Sequence, residues 1–354
     1  MKVDFITSYE SAGAEIAYPL IKWRRLLKKH GLDIDIRHCF EPGNLRRADV
    51  LVLTHPFYRD SFPLSIDWHK LHKGIEQRLK QDLKQARNNW EKIVFFDTSD
   101  STASAYFSFL KDVDLILKWQ VLVDRSYYLS ETYENRGCIW TDADKKIRSR
   151  ADPNHIDRLA VGWNLAYRNY SLLRKGARHL HWRGITWNPI FAAVARERPI
   201  LCTFRGALSG SRSKHRQQAV QALSDPALNN VVLGPPINRW SYLRELERSK
   251  TVVSPFGFGE PCYRDMEAFI HGAILVKPSM DHLETFPNVY LANETYVPVK
   301  WDFADLAPTL KEIEAQYADF LHIAQRGQAV YREYAENGEH FVLHLVGLIE
   351  TLYR

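Results

Sequence analysis

Short apolar runs alternate along the first half of the chain with segments in which apolar residues recur at helical spacing. The run Val3–Ser8 predicts a strand, and the segment after it predicts a helix that ends at Gly31. Leu32–Cys39 alternates apolar and polar residues, as a half-exposed strand does, whereas Ala48–Pro56 and Lys92–Asp100 have the composition of buried strands. Strands that alternate with helices predict a parallel sheet with helices on both faces.

The same alternation starts again in the second half. Arg198–Leu223 predicts a strand, a glycine-containing loop and a helix, and three further runs predict strands: Lys250–Gly257, Ala273–Pro278 and Asn288–Asn293. After these runs the pattern is helical to the end. We therefore expect an α/β protein with two Rossmann-like domains facing a cleft, followed by C-terminal helices. The expected bounds are 1–190 and 191–336, with a helix over 337–354 that can cross back to the N-terminal domain.

The composition is that of a globular protein, and the absence of common motifs argues against a bound cofactor. Of the 354 residues, 45% are hydrophobic and 25% are charged, which is ordinary for a globular protein. No G-x-G-x-x-G and no G-x-x-x-x-G-K-[ST] sequence occurs, which argues against dehydrogenases and P-loop enzymes. His179 and His181 have no third ligand at metal-binding spacing. We expect no metal and no cofactor.

The net charge of +6 is concentrated in part in Ile21–Gly31, where lysines and arginines surround Trp23. A basic amphipathic helix can bind an anionic membrane surface, and an ordinary surface helix with one apolar stripe has the same pattern. No signal-peptide pattern opens the sequence. We expect a cytoplasmic protein that can associate with the inner membrane face. Because zinc-finger, RNP and helix-turn-helix signatures are absent, we expect no nucleic acid among its partners.

The densest group of candidate residues lies in Ser254–Pro278. A strand-like run leads into a turn with Gly259 and Glu260, and a helix follows with Arg264 in its first turn and Glu267 one turn later. A helix N-terminus suits a phosphate, and an arginine can add a bidentate contact to it. The carboxylate one turn on can accept both hydroxyls of a ribose. The alternative is a surface ion pair between the arginine and the glutamate.

A second basic stretch follows the first strand of the second domain. The loop before the next helix contains Arg205, Gly206 and Arg212, and Arg205 is the foremost candidate because it stands nearest the strand end. Basic side chains at this place can neutralise charge that grows on a leaving group. A solvated basic loop is the alternative.

The segment GFGEPCYRDMEAFIHGAILVKP resembles the nucleotide-sugar motif in the C-terminal domain of GT-B glycosyltransferases. Its R-x-x-E-A…G…P form is also similar to exostosin-like members and covers roughly residues 199–306. The resemblance implies that Glu267 holds the donor ribose, that Arg264 lies near the diphosphate and that Glu260 lies near the donor sugar. It places Gly259 and Tyr263 in the same donor site, together with the basic loop.

Six residues separate the two glutamates of this motif, whereas many retaining members have seven. The spacing leaves retention and inversion both open, and with them the role of Glu260 as a catalytic residue.

The N-terminal domain contains candidate bases for an acceptor hydroxyl. Asp97 and Asp100 stand at a strand end, where either can act as the base of an inverting reaction. Both can equally cap a helix, since aspartate is common before one. Glu10, after the first strand, and His55 are further candidates.

These observations predict a metal-independent glycosyltransferase. It would move a sugar from a nucleotide-sugar donor to a glycan, lipid-linked or other hydroxyl acceptor, as in polysaccharide or cell-envelope synthesis. A GT-B-fold nucleotide-sugar epimerase and a non-catalytic nucleotide- or sugar-binding protein are the alternatives.

Overall fold

The structure is a computed structural model of the chain. It describes residues 1–42, 48–63, 65–66, 68–100, 102, 106–130, 150–170, 178–208, 213–257 and 259–354. Within these residues the chain forms two compact units. The first consists of the residues up to Asn188 together with Asn337–Arg354, and the second consists of Pro189–Glu336.

The strands of the described residues are β1 (Lys2–Ile6), β2 (Asp33–Arg37), β3 (Val50–Thr54), β4 (Lys92–Asp97), β5 (Leu115–Lys118), β6 (Gln120–Leu122), β7 (Leu159–Val161), β8 (Ile200–Arg205), β9 (Val231–Gly234), β10 (Ser249–Val253), β11 (Ile274–Pro278), β12 (Leu283–Thr285) and β13 (Val297–Val299).

The α-helices in the same residues are α1 (Ser11–Lys22), α2 (Arg24–Lys29), α3 (His55–Arg59), α4 (Trp68–Ala86), α5 (Arg178–Trp182), α6 (Ser213–Leu223), α7 (Arg239–Arg248), α8 (Tyr263–Ile270), α9 (Leu306–Ala315), α10 (Tyr317–Glu336) and α11 (Glu339–Thr351).

A parallel sheet forms the centre of the first unit. In the described residues it has six strands, in the order β2-β1-β3-β4-β5-β7. Every residue of β3 is buried, because helices cover both faces of a parallel sheet. The direction in which strands are added reverses between β1 and β3, as in flavodoxin-like sheets. Loops at the carboxyl ends of these two strands therefore lie at a topological switch point.

The helix expected to run to Gly31 breaks at Trp23, which separates α1 from α2. The indole of Trp23 packs against Tyr167 and Phe341, with 5.4 Å between ring centroids in each case. Phe341 belongs to α11, near the C-terminus. A tertiary contact of this kind overrides local helical periodicity, which continues across the break.

The second unit also contains a parallel sheet. Its strands in the described residues are ordered β13-β11-β10-β8-β9, and the order reverses between β8 and β10. Its core joins the sheet to α6, α9 and α10 through residues such as Phe204, Val276, Leu310 and Ile323. The two sheets confirm two Rossmann-like units followed by C-terminal helices.

The strand predicted at Asn288–Asn293 is wrong, and the strand in this region is β13, a few residues later. Thr295 explains the difference. Its hydroxyl donates to the carbonyl of Val289 at 2.7 Å and accepts from the backbone N–H of Leu291 at 2.8 Å. Because these backbone groups already form hydrogen bonds with the side chain of Thr295, they do not need a neighbouring strand as a partner.

The last helix, α11, belongs to the first unit, so the chain leaves that unit and returns to it. Among the described residues no helix combines the length and the apolar character needed to span a lipid bilayer.

Candidate functional site

The switch point of the second sheet gathers most of the candidate residues. Strand β8 ends at Arg205 and leads into Gly206, whereas β10 leads into the turn from Ser254 to Glu260 and then into α8. Ligands of open α/β sheets bind at such a point, outside the carboxyl ends of the strands. We refer to these residues and the N-terminal turn of α8 as the β8/β10 edge.

A fully buried ion pair fixes the start of α8. The carboxylate of Asp265 lies 3.3 Å from Nζ of Lys277 on β11, and neither side chain is exposed. The same carboxylate accepts from the backbone N–H of Cys262 at 2.9 Å, from the Ser254 hydroxyl at 2.5 Å and from the Tyr290 hydroxyl at 2.8 Å. Asp265 therefore ties the helix N-terminus to the end of β10.

Lys277 also holds the turn that precedes α8. Its ammonium donates to the carbonyl of Glu260 at 2.6 Å and to that of Ser254 at 3.5 Å. Sequence analysis missed both members of this ion pair. A lysine inside the apolar run AILVKP was the available signal, because a lysine is almost never fully buried without a partner.

His215, in the first turn of α6, braces the same turn from the other side. Its Nδ1 accepts from the backbone N–H of Phe256 at 3.1 Å, so its Nε2 carries the proton and donates to the carbonyl of Trp301 at 2.9 Å. Burial lowers the pKa of His215 to about 4. The imidazole is therefore neutral at neutral pH, and it holds the backbone of Phe256 and Trp301 in place.

Arg264 is buried at the β8/β10 edge with part of its hydrogen-bonding capacity unused. Its Nη2 donates to the carbonyl of Arg205 at 2.6 Å, and the guanidinium lies 4.8 Å from the ring centroid of Phe204. Among the described residues, Nε and Nη1 have no hydrogen-bond partner although both are buried. Burial acts to lower the pKa of Arg264, but neighbouring acidic groups, Cys262 foremost, raise it overall. The guanidinium is a buried cation with free donors.

Glu267 is buried one turn further along α8. Its Oε1 accepts from Nη1 of Arg239, the first residue of α7, at 3.2 Å. Tyr242 lies beside it, and burial together with the charge of Glu267 raises the pKa of that phenol. The alternative of a surface ion pair with Arg264 is wrong, because both side chains are buried and Glu267 pairs with another arginine.

Arg205 differs from the expectation of a guanidinium available to phosphate. Its Nε lies 3.1 Å from both carboxylate oxygens of Glu245, and its Nη2 donates to one of them at 2.7 Å. Gly234 makes room for this arrangement, since a Cβ there would lie 2.6 Å from Nη1. The charge of Arg205 is thus compensated within the unit, and its carbonyl holds Arg264.

The remaining expected donor-site residues lie around this centre. Glu260 is buried, and its negative charge acts on the nearby imidazole of His282. Gly259 accepts from the N–H of Gly257 at 3.0 Å, which closes the turn. Tyr263 is half-buried at the first position of α8.

The basic loop is described only in part. A Cβ on Gly206 would lie 2.9 Å from the ring of Phe204, so the glycine allows the backbone to cross the ring that supports Arg264. Arg212 lies outside the described residues.

Charge pairing distinguishes one residue at this edge. At this edge, among the described residues, three cations have carboxylate partners: Arg205 with Glu245, Arg239 with Glu267, and Lys277 with Asp265. Among the described residues Arg264 has no carboxylate within ion-pair distance and bonds instead to a carbonyl, although the charges of Asp265 and Glu267 favour its charged form. Because its Nε and Nη1 are buried there without a hydrogen-bond partner, a bound anion can accept from both atoms.

Asp97, in the first unit, does not suit the role of a base. Its carboxylate is fully buried, lies 3.2 Å from Nζ of Lys118 and accepts from the backbone N–H of Ser99 at 2.9 Å. Burial acts to raise the pKa of Asp97, but Lys118 and His55 outweigh it and the pKa is lowered. The bond to Ser99 is a local turn contact, and no helix begins at this point in the described residues, so these contacts do not show a helix cap.

Two of the other candidate bases are more accessible than Asp97. Asp100 and Glu10 are both exposed, and Glu10 directly precedes α1. Burial lowers the pKa of His55 to about 4. The catalytic roles of these residues stay predictions. No cluster of three or more His, Cys, Asp or Glu with metal-binding geometry occurs among the described residues.

Comparison with solved structures shows which proteins share this fold. An alpha-glucosyltransferase in complex with UDP-glucose and DNA containing an abasic site matches with a TM-score of 0.50 and 9% identity over 99% of each chain. A structure of alpha-glucosyltransferase with UDP and a 13-mer DNA containing a HMU base matches with a TM-score of 0.50 and 8% identity over the same shares. HepE of Anabaena, in complex with UDP and glucose, has a TM-score of 0.45 and 12% identity over 99% of this chain and all of that one.

At sequence identities this low, the structural similarity shows only that these proteins share a fold. The chain has the two-unit architecture of the GT-B glycosyltransferases, as its sequence predicted. No protein-family model and no curated protein matches the sequence.

The expectation that nucleic acid is excluded as a partner is wrong. The structures that match at a TM-score of 0.50 include complexes with DNA, although this chain has none of the common nucleic-acid-binding motifs. The absence of these motifs argues only against the domains that carry them. It does not argue against nucleic-acid binding by a protein with the GT-B fold, which carries none of them.

Proposed function

We propose that the protein is a glycosyltransferase that binds a nucleotide sugar at the β8/β10 edge of its second unit and transfers the sugar to a hydroxyl acceptor. The observation that carries this proposal is the buried guanidinium of Arg264, which among the described residues has no ion-pair partner and keeps two unbonded donor atoms at the N-terminus of α8. A diphosphate supplies the charge and the acceptor oxygens that this position lacks.

The chemistry follows from the charge that develops as the glycosidic bond breaks. Negative charge grows on the departing diphosphate, and Arg264 together with the N–H groups of α8 stabilises it. Glu267, held by Arg239, presents a carboxylate suited to the two hydroxyls of a ribose. The buried ion pair Lys277–Asp265 keeps the turn in place throughout. These groups suffice for leaving-group stabilisation by protein donors, so we propose a metal-independent reaction.

The solved structures with this fold indicate which substrates to test first. Two of them contain UDP-glucose or UDP, so UDP-glucose is the first donor. The same two contain DNA, so the acceptor panel includes DNA oligonucleotides beside glycans and lipid-linked sugars. A glycan acceptor would place the enzyme in polysaccharide or cell-envelope synthesis.

A ligand-binding series tests the donor site. We expect one nucleoside diphosphate among UDP, GDP, CDP and dTDP to raise the melting temperature. Arg264→Gln should weaken both this nucleotide and inorganic pyrophosphate by at least about tenfold, since it removes a charge-assisted contact. Glu267→Gln should weaken the nucleotide and leave pyrophosphate unchanged, because only the nucleotide has a ribose.

Arg244→Gln is the matched control, since Arg244 is exposed on the neighbouring helix α7. Binding to this variant should equal that of the parent protein. The proposal is overturned if no nucleotide binds, or if Arg264→Gln and Arg244→Gln bind it equally well. Analysis of the sugar released or transferred from the bound donor then separates transfer from epimerisation.

A further inference from the structure

An aromatic cluster lies at the carboxyl edge of the first sheet, outside the residues used so far. Tyr9 follows β1 and His38 follows β2, whereas His179 and Trp182 belong to α5. The rings of Tyr9 and Trp182 are stacked, with 5.7 Å between centroids and 22° between planes. His38 meets both rings edge-on, at 5.2 Å and 4.5 Å. We call these four residues the Tyr9 cluster.

Hydrogen bonds fix the cluster before any ligand arrives. The Tyr9 hydroxyl lies 2.9 Å from Nδ1 of His179, and the indole N–H of Trp182 donates to the Tyr9 carbonyl at 3.2 Å. Behind the loop, a Cβ on Gly13 would lie 2.0 Å from the Ser8 carbonyl oxygen, so the loop packs directly on α1. Tyr9 nevertheless keeps 40% of its surface exposed. A rigid, exposed aromatic group loses little conformational entropy when it binds a ligand.

Carboxylates and a hydroxyl border the same loop. The hydroxyl of Ser8 donates to Asp60, which follows α3, at 2.5 Å. Glu10 comes next after Tyr9 and is exposed. Burial raises the pKa of Asp60 overall, the Ser8 hydrogen bond and the charge of Arg59 act to lower it, and the charge of Glu10 adds to the rise. Asp60, held by Ser8, and Glu10, next to Tyr9 in the chain, place two carboxylates at the loop that carries the aromatic rings.

We propose that the Tyr9 cluster, with Glu10 and Asp60, binds a pyranose ring of a carbohydrate acceptor. A pyranose has an apolar face that packs on an aromatic ring and a rim of hydroxyls that donate to carboxylates. The rings of the Tyr9 cluster suit the apolar face of the sugar, and the carboxylates of Glu10 and Asp60 suit its hydroxyls. The inference rests on the proposed function only in that it treats the bound sugar as the acceptor.

A nucleobase also stacks on aromatic side chains, which makes nucleic acid the competing occupant. Its phosphates would meet the carboxylates of Glu10 and Asp60, whereas single-strand binding relies on basic grooves that follow the backbone. The charges of this loop therefore favour a neutral sugar, and the experiment below includes oligonucleotides as the opposing outcome.

Tyr9→Ala tests the proposal, with Tyr353→Ala as its matched control. Both tyrosines belong to the first unit and are similarly exposed, at 40% and 42%. We expect a panel of neutral oligosaccharides to yield at least one ligand by saturation-transfer NMR. Tyr9→Ala should weaken that ligand about tenfold, as loss of about 1.4 kcal/mol requires. Tyr353→Ala should leave its affinity unchanged.

Asp60→Asn provides a second variant that keeps the shape of the side chain. It should also weaken the sugar, and circular dichroism identifies any variant that fails to fold. The proposal is overturned if no sugar of the panel binds, if both tyrosine variants bind it equally, or if single-stranded oligonucleotides bind and their binding alone depends on Tyr9.

The same variants separate this inference from the proposed function. If the protein transfers sugar, Tyr9→Ala should raise the acceptor KM and leave the donor KM unchanged. If no transfer occurs with any donor, Tyr9-dependent sugar binding by NMR still supports the cluster as a sugar site, while the proposed function fails.

Discussion

At the scale of single residues, Lys277 and Asp265 show how the second unit keeps the turn before α8 in place. Both side chains are fully buried, and together they contact β10, β11, α8 and the carbonyl of Glu260. Burying two charges is costly unless their remaining hydrogen-bonding positions are filled, and here Ser254 and Tyr290 help to fill them. The ion pair therefore affects the site by holding the backbone of the turn before α8 in place.

We expect Lys277→Met to lower the free energy of unfolding by about 3–5 kcal/mol, because it leaves the Asp265 carboxylate buried without its counter-ion. Urea denaturation followed by circular dichroism measures this loss. In the double variant with Asp265→Asn, part of the loss should be recovered, since no charge is then left alone.

The exposed pair Arg354–Glu350 supplies the control. Its atoms are 3.9 Å apart and both side chains are largely solvated, so Arg354→Met should change stability by less than about 0.5 kcal/mol. Equal effects of the two single substitutions would contradict the importance of burial.

At the scale of elements, α6 is joined to the turn after β10 by one imidazole. His215 stands between the backbone N–H of Phe256 and the carbonyl of Trp301, and its ring stacks on the indole of Trp301 at 4.8 Å. This arrangement needs the neutral imidazole, because a second proton on Nδ1 would oppose the N–H of Phe256. The junction of helix and turn is therefore sensitive to acid.

A pH series on folding stability follows from this junction. The pKa of His215 is lowered to about 4 by burial, whereas in the unfolded chain it is about 6.5. The unfolded chain binds the proton first, so this contribution to stability is complete above about pH 6.5 and is lost as the pH falls toward 4. We expect it to amount to about 1–2 kcal/mol between pH 7.5 and pH 5.

His215→Asn should reduce the acid-dependent loss of stability measured by urea unfolding at several pH values. His322→Asn is the control, because His322 is exposed on α10. If the slope of stability against pH between 6.5 and 5 is the same in His215→Asn as in the parent protein, the assignment of this slope to His215 is wrong.

At the scale of the whole molecule, the C-terminal helix belongs to the unit in which the chain began. Phe341 on α11 is fully buried among Trp23, Trp163 and Tyr167, with ring centroids 5.2–5.4 Å apart. Gly338 permits this approach, since a Cβ there would lie 2.4 Å from the indole of Trp23. The first unit is therefore completed only when the last residues of the chain are in place.

Phe341→Ala should destabilise the first unit by about 3–5 kcal/mol, as large-to-small changes of buried aromatics do. Leu343→Ala on the same helix should cost little, because Leu343 is 56% exposed. Differential scanning calorimetry measures both effects. A loss of similar size in the two variants would contradict a core role for Phe341.

Local pattern was sufficient for much of the fold and for part of the site. Buried runs such as Ala48–Pro56 and Lys250–Gly257 overlap β3 and β10, because strands of a parallel sheet are apolar on both faces. The turn and helix with Arg264 and Glu267 were found from residue types and spacing. The break at Trp23 was not, because its cause is a contact with α11, more than three hundred residues away in sequence.

The sequence by itself determined two successive α/β patterns and a short segment suited to a nucleotide, since both depend on residues close together in the chain. Tertiary structure decided which charges are paired. Arg205 was the foremost candidate for an anion contact and is paired with Glu245, whereas Arg264, also expected to contact phosphate, keeps two donor atoms without a partner among the described residues. The physical reason is that ion pairing and burial depend on neighbours in space, and the partners of these arginines lie on other elements of the second unit.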